Sequence, residues 1–152
     1  IATRLAFDRV GESYKSTLGT DISVYDVESP PGDKPLRFPI WDTDGSCEDA
    51  MFRSHYMRGA HAAIIVGDLT RRKTLESQLR LAQKFSEALP GRYFSAVLNK
   101  NDLRDEIPED DDWVPEGLRR PFFPVIETSA KSGHNIRQTF QDAAETIARR
   151  DL

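Results

Sequence analysis

Four nearly continuous apolar runs mark the chain, and each ends abruptly in polar residues. "LRFPIW" leads to Asp42-Thr43-Asp44-Gly45, and "HAAIIVG" leads to Asp68-Leu69-Thr70. "YFSAVL" leads to Asn99-Lys100-Asn101-Asp102, and "FFPVIE" leads to Thr128-Ser129-Ala130-Lys131. Runs of this length without alternation read as strands covered on both faces, as in a parallel sheet. Between them the period changes. In "KTLESQLRLAQKFSEAL", Leu75, Leu79, Ala82, Phe85 and Leu89 recur at helical spacing. In "NIRQTFQDAAETIARR", Ile136, Phe140, Ala143 and Ile147 do the same, and Asn135 with Gln138 has the spacing of a capping pair.

Strand alternating with helix predicts βαβ units, and hence a doubly wound α/β sheet. Ligands of such sheets sit at the carboxyl ends of the strands, where each polar cluster falls. The early part differs. "TDISVYDVE" and "LRFPIW" flank "SPPGDKP", whose punctuation suits a turn, so the pair reads as a hairpin that adds one antiparallel strand at the sheet's edge. "EDDDWVPEGLRRP" is acidic and then broken by proline; it reads as a solvated loop with at most a poor helix and receives no function.

Composition narrows the classes. A chain of 152 residues makes one domain, residues 1–152, around a single core. The formal net charge of −4 argues against a nucleic-acid or anionic-membrane surface. Cys47 is the only cysteine, which excludes an internal disulfide and points to a reducing, cytoplasmic setting. No apolar run approaches the length of a membrane span. His55, His61 and His134 lack metal-ligand spacing, and Trp41 and Tyr56 read equally well as core aromatics.

At this point the motifs resemble the Ras superfamily of small GTPases, and its Rab-like branch most closely. "NKND" fits the N-K-x-D guanine motif, and "ETSAK" fits the second base-contacting loop. "WDTDG" resembles the D-x-x-G motif, "YKSTLGTD" the first switch, and "HYMRGAHAAIIVGDLT" the stretch after the second switch. The resemblance runs nearly end to end and in order. It implies a P-loop-NTPase-type small G domain, with a mostly parallel sheet and one antiparallel edge strand.

It also implies site roles. Guanine offers two neighbouring N–H donors, and one carboxylate accepts both, so Asp102 is the expected reader of the base. Adenine lacks that pair, and a hydrogen-bonding site rejects such a mismatch by roughly 10⁴-fold. Lys100 would lie along the base plane, Asn99 would tie loops together, and Ala130, between Ser129 and Lys131, would turn its N–H to the base carbonyl. Thr17 and Asp42 would serve Mg²⁺, which prefers hard oxygen ligands beside phosphates. Gly45 would give its N–H to the γ-phosphate. The implied cofactors are GTP or GDP with Mg²⁺, and the implied partners are effectors and regulators that read the switch loops.

Two departures qualify the expectation. Ser46 stands at the catalytic position where the family usually carries the glutamine that orients the attacking water, and Asp44 adds negative charge nearby. Both features predict slow intrinsic hydrolysis. Secondly, no G-x-x-x-x-G-K-[ST] occurs, and the opening "IATRLAFDRVGESYKSTLGTD" resembles the family from just after the P-loop lysine. The expectation is a domain lacking its first strand and phosphate loop as given, with Ile1 to Phe7 as the rest of the first helix. Lesser departures are Ile22 in place of an aromatic residue and Gly67 in place of a bulky one. Membrane attachment is not encoded in the chain and would depend on a partner or a tail outside it. Two functions stay open: a guanine-nucleotide switch, favoured by the base motifs, and a pseudo-GTPase interaction module, favoured by Ser46, Asp44 and the missing loop. A flavodoxin-type domain leaves "NKND" and "TSAK" unexplained.

Overall fold

The computed structural model describes residues 1–7, 20–27, 36–43, 55–107, 109, 113–119 and 124–149. Three of the apolar runs form one parallel sheet in the order β3 (Ala62–Asp68), β4 (Tyr93–Asn99), β5 (Val125–Glu127). The register pairs Ala62 with Tyr93 through to Asp68 with Asn99, and then Ala96 to Leu98 with Val125 to Glu127. Central β4 buries four successive residues, Ser95 to Leu98, because both of its faces are covered. That is why its sequence does not alternate.

Helix α3 (Arg72–Ala88) crosses from β3 to β4 and covers one face. Its Leu75 meets Leu69, Ala96, Leu98, Ile107 and Leu118 in one buried cluster. Of the five positions the periodicity picks out, Leu75, Ala82 and Phe85 are buried, while Leu79 and Leu89 are only partly so. Helix α4 (Ile136–Arg149) buries Ile136, Phe140, Ala143 and Ile147 as its spacing predicts, together with Thr139 and Ala144. On its side, Ile136 and Phe140 pack with Leu5 of helix α1 (Ala2–Phe7), and Tyr25, Ile40 and Ile64 lie against them. Helices on both faces complete the α/β layering. A further single turn, α2 (His55–Arg58), precedes β3.

The hairpin forms as expected, β1 (Thr20–Val27) pairing antiparallel with β2 (Leu36–Thr43). The antiparallel pair is present, and among the described residues it is a two-stranded sheet beside the three-stranded parallel one. Side-chain packing holds it, with the Tyr25 and Phe140 rings 6.1 Å apart. Its outer face leaves Ile22, Val24 and Trp41 exposed, so Trp41 is not a core residue.

Two further readings are corrected, and one unforeseen feature follows them. Asn135 and Gln138 do not cap α4. Asn135 has a left-handed backbone (φ 54°), whereas a capping residue is extended. Its amide donates to the Glu127 carbonyl, and Gln138 donates to Asp142. Secondly, the acidic, proline-broken segment is not merely solvated. It includes a 3₁₀ turn, Glu116–Arg119, that buries Leu118, and the Trp113 indole N–H donates to the Leu69 carbonyl at 2.6 Å. Finally, the polar Gln78 is buried within α3. Its amide donates to the carbonyls of Ile65 and Val97, and its Oε1 sits 2.8 Å from where a Cβ on Gly67 would lie. Gly67 is small because Gln78 fills the space beside it.

Candidate functional site

Asn99 ends β4, and Thr128 to Lys131 follow β5, so parallel pairing alone brings these segments together. Backbone bonds fix the junction: Thr128 N–H donates to the Leu98 carbonyl, and Asn101 N–H donates to the Thr128 carbonyl, each at 2.9 Å. The Asn99 side chain then accepts twice, from the Ala130 N–H at 3.0 Å and from the Thr128 hydroxyl at 3.2 Å. Asn99 therefore ties the two loops together. The same contact directs the Ala130 N–H to Asn99 Oδ1.

After Asn99 the chain turns sharply. Lys100 adopts a left-handed backbone (φ 71°, ψ 35°), which is costly for a residue with a Cβ. The turn starts a 3₁₀ segment, Asn101–Glu106, and sets Asp102 beside the other loop. The Ser129 hydroxyl donates to Asp102 Oδ1 at 2.5 Å, and Ser129 in turn accepts the Ser132 N–H at 3.1 Å. The Lys131 ammonium lies 3.9 Å from Asp102 Oδ2. Thr128 and Ser129 are almost wholly buried, whereas Lys131 is exposed. An ionised carboxylate has about four lone-pair sites. One hydroxyl donor and one loose ammonium leave Asp102 able to accept two further hydrogens.

The end of β3 contributes a second carboxylate that the sequence motifs did not single out. Asp68 is buried, and its Oδ1 accepts the Thr70 N–H at 3.0 Å and the Thr70 hydroxyl at 2.7 Å. Its Oδ2 takes the Arg71 guanidinium at 2.9 Å and the Lys100 ammonium at 2.8 Å. Burial pushes the Asp68 pKa up. The hydrogen bond from Lys100, those from Thr70 and the Lys100 charge outweigh burial and hold it down at about 2. The signal was present in the chain, since Asp68 opens the polar cluster after the "HAAIIVG" run.

The structure thus gathers Asn99, Lys100, Asp102, Ser129, Ala130 and Lys131 at one edge of the parallel sheet. Asp42 does not join them through any hydrogen bond or ion pair described. It lies near the end of β2, opposite Asp21. Thr17, Gly45 and Ser46 lie outside the described residues, as do Asp44 and Cys47. Among the described residues no group of three or more metal-ligating side chains occurs. A site of one or two oxygen ligands shared with phosphate is the form Mg²⁺ uses, and the hard carboxylate of Asp42 fits such a donor set.

A parallel sheet whose adjacent strand ends present an amide, a lysine and an aspartate against a serine-alanine-lysine loop defines an α/β small G domain. The model of the Ras family matches residues 1–149. Ras-related protein Rab-1A of Dictyostelium discoideum is 32% identical over 148 residues, covering 97% of this chain and 72% of the relative. The chain belongs to the Ras family of small GTPases and is Rab-like. Among the described residues no helix is long and apolar enough to cross a membrane.

Proposed function

We propose that the protein is a guanine-nucleotide switch of the Rab type, which binds GDP and GTP with Mg²⁺, hydrolyses GTP slowly and signals to effectors in membrane trafficking. The observation that carries the reading is the joint between Asp102 and the Ser129–Lys131 loop, because it leaves a carboxylate with two free acceptor sites beside that loop. In the proposed complex, Asp102 accepts the N1 and N2 hydrogens of guanine. The Lys100 stem lines the base plane. The base carbonyl approaches the Ala130 N–H and competes for it with Asn99 Oδ1, so this donor is shared or the Asn99 amide turns.

At the phosphate end, Asp42 and Thr17 would hold Mg²⁺, which neutralises phosphate charge when bound. Gly45 would donate its N–H to the γ-phosphate. Ser46 is too short to hold a water where glutamine does, and Asp44 adds negative charge near the already anionic γ-phosphate; hydrolysis is therefore slow without a partner. Loss of the γ-phosphate removes the contacts of both loops, and effectors distinguish the two states through them.

Titration of the full-length protein with fluorescent GDP tests the reading. Tight binding that needs Mg²⁺ and is displaced by GTP but not by ATP is the expected result. Absence of guanine-nucleotide binding would favour the interaction-module reading, to which Ser46 and Asp44 also point.

A further inference from the structure

The anchor of Lys100 is more rigid than Lys100 itself. Three of the four donors to Asp68 come from its own turn, the Thr70 N–H, the Thr70 hydroxyl and the Arg71 guanidinium. Thr74 locks the turn behind them: its Oγ accepts the Asp68 N–H at 2.8 Å and donates to the Arg71 carbonyl at 2.7 Å. Only the fourth donor, Lys100, crosses from one strand end to the next. The Lys100 side chain is 43% exposed and the Asp68 side chain 9% exposed, so the carboxylate restrains the lysine and not the reverse. A lysine stem has several freely rotating bonds, and ordering it on ligand binding costs conformational entropy. A stem already stretched between a strained backbone turn and a fixed carboxylate has met much of that cost beforehand.

We infer that Asp68 is a positioning residue for the purine base: by holding the Lys100 ammonium it keeps the Lys100 stem extended as a wall of the site. The inference rests on the guanine-nucleotide reading above and deepens it. Asp68 touches no base. It acts through Lys100, and its own hold on that residue depends on the Thr70 hydroxyl.

The test is a double-mutant cycle read by fluorescent GDP binding in the presence of Mg²⁺, with unfolding midpoints recorded for each protein. Asp68→Asn is expected to weaken GDP binding about tenfold, the size of a typical coupling between contacting residues. Lys100→Met is expected to weaken it at least as much, and adding Asp68→Asn to Lys100→Met is expected to cost no more than about a further twofold. The stability loss of Asp68→Asn shrinks in the Lys100→Met background but does not vanish, because the Thr70 and Arg71 bonds remain, whereas its affinity loss disappears there; a purely structural role would carry the affinity loss across. Thr70→Val removes one restraint from a residue that is only partly buried, and serves if Asp68→Asn does not fold. It should weaken binding about threefold, again only while Lys100 is present. Unchanged affinity in Asp68→Asn and Thr70→Val, or losses that persist in full with Lys100→Met, overturn the inference and leave the guanine reading standing. A full-length wild-type protein that binds no GDP overturns both.

Discussion

The Ser129 hydroxyl donates to Asp102 Oδ1 at 2.5 Å, joining residues 27 positions apart across two strand ends. Ser129 is itself held by the Ser132 N–H, so the carboxylate takes its orientation from a buried, hydrogen-bonded group and not from solvent. Ser129→Ala removes that orientation while leaving the Asp102 charge in place. GDP affinity should fall about tenfold, the equivalent of one charge-assisted hydrogen bond. Isothermal titration of the variant against wild type checks this, and equal affinities would show that Asp102 is oriented without Ser129.

Hydrolysis gives a second prediction. Ser46→Gln restores a side chain long enough to hold a water beside the γ-phosphate, and single-turnover GTP hydrolysis should rise by at least about tenfold. An unchanged or lower rate would show that Ser46 does not limit the reaction.

Asp68 predicts a pH dependence of stability. Its pKa falls from an ordinary 3.8 to about 2 in the fold, through the Lys100 and Thr70 bonds that overcome burial. A depressed carboxylate pKa stabilises the native state above the unfolded value and ceases to do so as pH drops through the folded value. The contribution is about 2 kcal/mol at neutral pH. Asp68→Asn should therefore be less stable than wild type by about that amount at pH 6, with the gap closing between about pH 4 and pH 2. Urea midpoints across that range measure it, and a gap independent of pH would contradict the assignment.

A fourth prediction concerns packing under the site. A Cβ on Gly67 would lie 2.8 Å from Gln78 Oε1 and 2.8 Å from Leu75 Cδ2, both on buried side chains of α3. Gly67→Ala should destabilise the protein by about 1–3 kcal/mol through overpacking, measured by urea unfolding. Gly91→Ala has open space around it but a positive φ of 80°, so its smaller cost, about 1 kcal/mol, is backbone strain. Equal effects at the two glycines would deny that Gln78 occupies the space beside Gly67.

Much of this arrangement was legible in the chain because parallel sheets simplify the code. Strands buried on both faces leave unbroken apolar runs, and their polar ends must share one edge; Asn99, Asp102, Ser129 and Ala130 are neighbours for that reason. What the pattern could not show depends on long-range pairing or on polar atoms doing core work. Trp113 stands in an acidic, proline-containing stretch, yet it finds the Leu69 carbonyl 44 positions away. Gln78 falls on the helix stripe but is polar, and only the strand carbonyls it meets explain its burial. Asn135 had the spacing of a cap, but its left-handed backbone sent its amide to Glu127. That the hairpin stands, among the described residues, as a sheet of two was equally invisible, since periodicity predicts a strand and not its neighbour.

The central claim is that Asp102 reads guanine through paired hydrogens, and exchanging that carboxylate for an amide tests it most directly. Xanthine carries a carbonyl where guanine carries its exocyclic amine, so the Asn amide donates where Asp could only accept. Affinities of the wild-type chain and of Asp102→Asn for GDP and xanthosine diphosphate should show preference crossing over, with the variant losing GDP by at least about 100-fold and gaining the xanthine nucleotide. If Asp102→Asn binds GDP as tightly as wild type, and xanthosine diphosphate no better, Asp102 does not contact the base and the account fails.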